Sequence, residues 1–169
     1  MLQRLRRVFR HRWLDERSTR RAIPPALAQR LTERVAASEQ RHTGEIRIYV
    51  EAGLPMSYLW RDARPRERAI AMFGKLRVWD TEHNNGVLIY LLLAEHAIEV
   101  VADRGLTRHV PEAQWQQVVA EMGSAFRAGR YEEGLAQAID TVTALLVQHF
   151  PARPGDPNPN ELPDEPVLG

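Results

Sequence analysis

The feature that most constrains the fold is a pair of apolar runs separated by three residues. The first run, Val87–Leu93, begins directly after the polar loop 80–86, and the second is Ala97–Ala102. Short apolar runs bounded by turn residues are typical of buried strands. Because the connection Ala94–His96 is too short for a parallel crossover, the two runs predict an antiparallel hairpin inside a covered sheet.

The remaining periodicities predict one more strand and four helices in the body of the chain. Residues 45–50 alternate between polar and apolar side chains, which indicates a strand with one buried face. Helical spacing of apolar residues is found over 23–42, 65–79, 111–127 and 131–150. The resulting order, α-β-α-β-β-α-α, predicts an α/β fold. We expect a three-layer α/β/α sandwich whose small mixed central sheet contains the hairpin.

The composition is that of a soluble globular protein, with 44% apolar and 27% charged residues. We expect a basic amphipathic segment over 1–22, one α/β domain over 23–150 and an extended tail over 151–169, which holds six of the eleven prolines. The absence of cysteine excludes disulfides, thiolate metal sites and cysteine nucleophiles. Since neither a secretory signal nor an apolar run of membrane-spanning length is visible, we expect a cytoplasmic protein, soluble or peripheral on the inner membrane.

The N-terminal segment is strongly basic and has helical apolar spacing. Eight arginines lie within residues 1–21, and the apolar positions are Leu2, Leu5, Phe9 and Trp13. This pattern predicts an amphipathic helix over about 1–14. One interpretation is an anchor on anionic lipid or on a partner. Its contact residues would be Arg4, Arg6, Arg7, Phe9, Arg10 and Trp13.

Two alternatives for this helix remain open. Its leucine, phenylalanine and tryptophan edge could pack on the domain and leave the arginines in solvent, as most charged runs do. It could also be an arm that binds nucleic acid. Nucleic acid is the least favoured partner, because no alternation of aromatic and basic residues recurs elsewhere in the chain.

Two acidic, glycine-bearing loops flank the predicted hairpin and suggest a cation site. Their candidate ligands are Asp80, Glu82, Asn84, Asn85, Asp103 and Glu112. Carboxylate and amide oxygens from several loops suit a hard cation such as calcium. The competing interpretation is that asparagine and aspartate before glycine only form turns, since no EF-hand pattern is present.

A further candidate surface lies in the connection 51–65, which carries Tyr58 and Trp60. These side chains either contact a partner or fold back over the helix that follows.

Several motifs in order along the chain are similar to a known family. They are Thr43-Gly44-Glu45, Phe73-Gly74-Lys75, Asn85-Gly86-Val87, Arg104-Gly105-Leu106 and Phe126-Arg127-Ala128-Gly129. Over about 25–150 the chain resembles the TPM domain family. Typical members carry an N-terminal signal and often a C-terminal transmembrane segment, and since neither is visible here we expect a short cytoplasmic subgroup. The resemblance implies an α/β/α sandwich, calcium at loops beside the sheet in some members, and acid phosphatase activity in one. It also implies accessory roles at membrane complexes, with a LemA-like membrane protein as a bacterial partner.

The chain departs from the family pattern at the candidate site. Asp103-Arg104-Gly105-Leu106 replaces the usual Gly-Tyr-Gly-Leu turn, and Glu112 stands where an aspartate is common. We therefore expect a non-catalytic accessory module at the membrane surface that binds a divalent cation. The alternative is a metal-assisted phosphatase with Arg104 on phosphate and His83 or His109 as acid or base. No P-loop, cysteine-arginine loop or phosphoenzyme motif is present, so no catalytic residue is assigned.

Overall fold

The computed structural model describes residues 2–155 and 157–169, with side chains from Leu5 onward. The expected helices and strands are all found, and four short elements are added to them. The helices are α1 (Leu2–Trp13), α2 (Glu16–Ala22), α3 (Pro25–Glu39), α4 (Met56–Trp60), α5 (Pro65–Lys75), α6 (Arg104–Thr107), α7 (Glu112–Arg127) and α8 (Tyr131–His149). The strands are β1 (Ile46–Glu51), β2 (Val87–Leu92), β3 (Ala97–Ala102) and β4 (Val167–Leu168).

One mixed sheet with the strand order β3-β2-β1-β4 forms the centre of the molecule. Strands β1 and β2 are parallel, and β2 and β3 pair antiparallel with Val87 opposite Ala102. The predicted hairpin is thus confirmed. Its connection is a 3-10 turn over Leu93–Glu95, and His96 closes it with a φ of 47°.

Helices cover both faces of the sheet because the buried side chains of its strands alternate between two cores. Ile48, Ile89 and Val100 point into a core with α3, α7 and α8. Leu88 and Tyr90 point into a second core with α4 and α5, against which Val8 of α1 also packs. The predicted α/β fold, a three-layer sandwich around a small mixed sheet, is confirmed.

The proline-rich tail runs along the outer edge of β1. Asn158 Nδ2 donates to the carbonyl oxygens of Glu39 and His42, at 2.9 and 3.1 Å. Val167 then lies opposite Tyr49 in a parallel pairing that makes β4 the fourth strand of the sheet. The tail is extended, as its composition indicates, and it is also part of the folded domain.

None of the helices within the described ranges combines the length and the apolar content that a bilayer crossing requires.

Candidate functional site

Three of the six predicted cation ligands come together at one end of the sheet. The loop before β2 and the turn after β3 meet there, because the Asp103 N–H donates to the Gly86 carbonyl at 2.9 Å. The Gly105 N–H donates to the Asn84 carbonyl at 2.8 Å, and Arg104 Nε donates to Asn84 Oδ1 at 3.1 Å. Asn84, Asn85 and Asp103 therefore belong to one connected loop pair.

The glycines of this loop pair allow a close approach that no other residue would. A Cβ on Gly86 would collide with the Val78 carbonyl oxygen, and a Cβ on Gly105 would collide with the carbonyl oxygens of His83 and Asn84. Asn84 itself has a φ of 52°, in the left-handed region that asparagine tolerates better than most residues. The turns that the sequence predicts from asparagine and glycine are thus present in the structure.

Two buried oxygen atoms at this loop pair have no hydrogen-bond partner among the described residues. They are Oδ1 of Asn85 and Oδ2 of Asp103. The other polar atoms of the two side chains are engaged, since Asn85 Nδ2 donates to Thr43 Oγ1 and Asp103 Oδ1 accepts from the Arg104 N–H at 2.6 Å. Buried oxygen atoms without donors are the groups that a cation or a bound water would satisfy.

The other three predicted ligands lie in different surroundings. Asp80 is exposed and forms an ion pair with Arg77 at 2.5 Å. Glu82 has an exposed side chain, and its N–H donates to the carboxylate of Glu161. Glu112 begins α7, with its carboxylate 3.8 Å from Arg66. Across the described ranges, no group of three or more histidine, aspartate or glutamate residues is arranged to hold a metal ion.

The residues considered for phosphatase chemistry lie at two places, Arg104 and His83 at the loop pair and His109 beside the end of α8. Arg104 is bonded to Asn84 as described above. His109 stacks on His149 with ring centroids 5.0 Å apart, and His83 is exposed on the loop before β2.

Helix α1 lies on the domain with its apolar edge facing outward. Leu5, Phe9 and Trp13 are 60%, 66% and 76% exposed. Phe9 and Trp13 contact each other, with ring centroids 5.5 Å apart. The interpretation in which this edge packs on the domain is therefore wrong, because the side of the helix that contacts the body carries Arg7, Val8 and His11.

Arg7 and His11 form that polar contact. Arg7 donates to Glu95 at 2.7 Å, to Asp62 at 2.7 Å and to the Ala63 carbonyl at 2.6 Å. His11 is buried, with Nε2 2.9 Å from Glu95 Oε1, and its Nδ1 accepts the Leu54 N–H at 2.9 Å. Since Nδ1 is an acceptor, Nε2 carries the proton and donates to Glu95. We call Arg7, His11 and Glu95 the α1 latch.

The structure describes the side chains of two of the three other predicted contact residues of α1. Arg6 and Arg10 are exposed beside the apolar edge, as is Arg12. The side chain of Arg4 lies outside the described residues.

Tyr58 and Trp60 of α4 have different environments. Tyr58 is half-buried beneath the guanidinium groups of Arg61 and Arg68, which lie 4.6 and 5.4 Å from its ring centre. Trp60 is 79% exposed. Tyr58 thus folds back on the domain, and Trp60 remains available for a contact.

Exposed apolar side chains are concentrated on one layer of the sandwich. All seven large apolar side chains that are exposed in the described part of the chain lie on α1, α4, α5 or the turn after α5. They are Leu5, Phe9, Trp13, Met56, Trp60, Ile70 and Trp79. The layer of α3, α7 and α8 has none, so the two faces of the molecule differ in chemistry.

Sequence reasoning missed three buried carboxylates. Glu51 accepts hydrogen bonds from Arg68 and from the hydroxyl of Tyr90, at 2.5 and 2.7 Å. Glu45 accepts the N–H groups of Glu161 and Leu162, and Glu39 accepts that of Ile46. Burial raises the pKa of Glu39 to about 8 and that of Glu45 to about 7. No sequence pattern marks these positions, because the donors lie on other elements of the fold.

Solved structures confirm this fold. The NMR structure of the BA42 protein from the psychrophilic bacterium Bizionia argentinensis superposes with a TM-score of 0.75 at 22% identity, over 87% of this chain and 95% of that one. The N-terminal domain of a protein from P. gingivalis superposes with a TM-score of 0.61 at 20% identity, over 76% and 81%. No curated protein sequence matches this chain significantly.

The family model described as the TPM domain matches residues 19–145. That match runs from within α2 to within α8 and includes the hairpin and both loops of the candidate site. The chain therefore belongs to the TPM domain family.

Proposed function

We propose that this TPM domain is an accessory binding module that docks on the anionic inner surface of the cytoplasmic membrane through α1. The observation that carries the proposal is the outward apolar edge of α1, formed by Leu5, Phe9 and Trp13. A helix that served only to cover the domain would bury this edge, because burial of apolar side chains stabilises the folded state.

Charge on α1 complements an anionic lipid surface. Arg6, Arg10 and Arg12 are exposed beside the apolar edge, whereas Arg7 is paired with Glu95 and Asp62. An apolar edge flanked by arginines is the arrangement of helices that lie in the membrane interface, with aromatic rings at the level of the headgroups. The three exposed arginines would contact lipid phosphates while Phe9 and Trp13 enter the interface.

The same layer gives the module a second contact surface. Trp60 of α4 and Ile70 of α5 are exposed on it. In line with the family resemblance, we assign this surface to a protein partner at the membrane, of which a LemA-like membrane protein is the expected example. Exposed tryptophans of this kind are frequent anchors of protein interfaces.

Vesicle flotation tests the membrane contact. We expect the protein to float with vesicles of phosphatidylcholine and phosphatidylglycerol, and to remain unbound with phosphatidylcholine alone. The variant Phe9→Ala/Trp13→Ala should lose this binding. The matched control Trp79→Ala removes an exposed aromatic side chain outside α1 and should still bind. Equal flotation of the wild type and the double variant would refute the proposal.

We also propose that the loop pair of Asn85 and Asp103 binds a divalent cation such as calcium. Support comes from the two buried oxygens without donors, Asn85 Oδ1 and Asp103 Oδ2. Oxygen atoms of carboxylate and amide groups are the ligands that calcium prefers, and the Asn84 side-chain oxygen is on the same loop. The cation would join the loop before β2 to the turn after β3, a structural role without catalysis.

A further inference from the structure

Strand β3 is one of the two terminal strands of the sheet, the other being the two-residue β4, and its outer edge pairs with no further strand among the described residues. The Asp103 N–H donates to the Gly86 carbonyl, so these two residues form a hydrogen-bonded pair. Along an antiparallel ladder such pairs alternate with pairs whose main-chain groups point away from the partner strand. Ala102, Val100 and Ile98 therefore direct their N–H and C=O groups away from β2. Such an edge is a template for one more strand.

A cleft of about 430 Å³ runs along this edge between α5 and α7. Its floor is Glu99 and Val100 of β3. One wall is the start of α5 with its approach, Arg64, Pro65 and Arg66, and the other is α7, including Trp115, Val119 and Ala120. This volume is within the range of pockets that bind small ligands.

Two polar groups at the cleft indicate what it would bind. The guanidinium of Arg66 donates to the outward carbonyl of Val100, the position that the N–H of an added strand would take. The indole N–H of Trp115 is buried and has no acceptor among the described residues. A peptide supplies both a main-chain N–H for the edge and carbonyl groups for such a donor.

The depth of the edge favours a single extended segment over a second folded copy. Val100 is only 1% exposed, because α5 and α7 rise on either side of β3. The β3 edge of another copy carries the same helices and would be held away by them. A single extended peptide has no helices beside it and could therefore reach the edge.

Charge and polarity select the side chains of that segment. The α7 wall offers Trp115, Val119 and Ala120, whereas Arg64 on the opposite wall is exposed and has no ion-pair partner among the described residues. Arg66 lies 3.6 Å from Glu99 and 3.8 Å from Glu112, so its charge is already shared. Because side chains of a strand alternate between its two faces, apolar residues would face α7 and acidic residues would face Arg64.

We propose that this cleft binds an extended peptide segment with alternating apolar and acidic residues, which adds to β3 as a fifth strand. The segment would displace Arg66 from Val100, and the carboxylates of the segment would then pair with Arg64. The occupant is a segment of a partner protein, bound by main-chain hydrogen bonds for affinity and by alternate side chains for specificity.

Fluorescence anisotropy with a labelled, capped peptide of alternating valine and glutamate tests the proposal. We expect saturable binding, and a loss of about tenfold or more for the same peptide with alternate amide nitrogens methylated. Replacing glutamate by lysine should weaken binding to a similar degree. Equal affinity of the acidic, basic and methylated peptides would overturn strand addition, as would no binding by any of them.

Variants of exposed wall residues locate the binding without disturbing the core. Ala120→Trp fills the cleft, and Arg64→Glu reverses its charge. Both should weaken the valine-glutamate peptide, and Arg64→Glu should improve the valine-lysine peptide. The control Arg153→Glu changes an exposed arginine near the β1 side of the sheet and should leave the affinity unchanged. A dimer that sediments as such and dissociates in Ala120→Trp would instead show that a second copy occupies the edge.

Discussion

Nε2 of His11 lies 2.9 Å from Oε1 of Glu95, which joins the N-terminal helix to the turn between β2 and β3. Arg7 donates to the same carboxylate oxygen at 2.7 Å. One glutamate thus fixes the rotation of α1 about its own axis. That rotation decides that Phe9 and Trp13 face outward, so the polar contact determines where the apolar contact is made.

The first prediction concerns this latch. Glu95→Ala leaves Arg7 and the buried His11 without their shared acceptor, and we expect the free energy of unfolding to fall by about 1–3 kcal/mol. Hydrogen exchange of the Leu54 amide, which donates to His11, should become faster because the ring is no longer held. Glu132→Ala is the control, since it removes an exposed ion pair with Arg30 and should change stability little. An unchanged exchange rate at Leu54 would contradict the assignment.

The second prediction concerns the cation. Calorimetric titration of the metal-stripped protein with calcium should show one site that disappears in Asp103→Asn, because the substitution removes the ligand charge and keeps the shape. Asp80→Asn should bind as the wild type does, since Asp80 is paired with Arg77 at a separate place. Loss of binding in both variants would place the site elsewhere on the loop.

The third prediction concerns pH. Burial raises the pKa of Glu39 to about 8 and of Glu45 to about 7, above the ordinary value of 4.5. The stabilising contribution of such groups is complete below 4.5 and is lost as the pH rises through 7 and 8. The pKa of His42 is lowered to about 4 from 6.5 by burial, so its contribution is present above 6.5 and is lost on acidification. Between 6.5 and 8 only the glutamate effect remains, and stability should fall.

Urea unfolding measures this fall, which we expect to be about 1–3 kcal/mol. Glu39→Gln retains an acceptor for the Ile46 N–H and removes the titrating group, so its stability should depend less on pH over this range. A variant with the same slope as the wild type would show that other groups are responsible.

The fourth prediction concerns the buried ion pair of Glu51 and Arg68. Their atoms lie 2.5 Å apart, and the hydroxyl of Tyr90 donates to the other carboxylate oxygen. Glu51→Ala would leave a largely buried guanidinium unpaired, with an expected loss of about 3–5 kcal/mol in the free energy of unfolding. The double variant Glu51→Ala/Arg68→Met should recover part of the loss. Equal losses in the single and double variants would indicate that packing is the cause.

The sequence predicted strands β1, β2 and β3 and the main helices because their apolar periodicity is local. The hairpin of β2 and β3 required only two runs and a short connection. Helix α2 has little apolar periodicity, and its signal is the capping box of Asp15 and Ser18 at its start. Strand β4 has only two residues and therefore shows no periodicity in the sequence. Only its pairing with β1 in the structure identifies it.

The orientation of α1 could not be predicted, although its amphipathic pattern could. Which edge faces the domain depends on Glu95 and Asp62, whose positions in space are known only from the fold. The candidate site shows the same limit: Asn84, Asn85 and Asp103 meet because β2 and β3 pair, whereas Glu112 follows α6 to the outer edge of β3. The spacing of these four residues in the sequence does not show which of them come together.

Because β4 (Val167–Leu168) pairs with β1 (Ile46–Glu51), the four-stranded sheet can be completed only after the segment up to residue 168 has left the ribosome. Until then β1 has an open edge, and Glu45 lacks the two amide donors that residues 161 and 162 bring to it. During synthesis the sheet therefore consists of β1, β2 and β3 until residues 161–168 arrive, and these residues then cover the edge of β1 and supply the donors to Glu45.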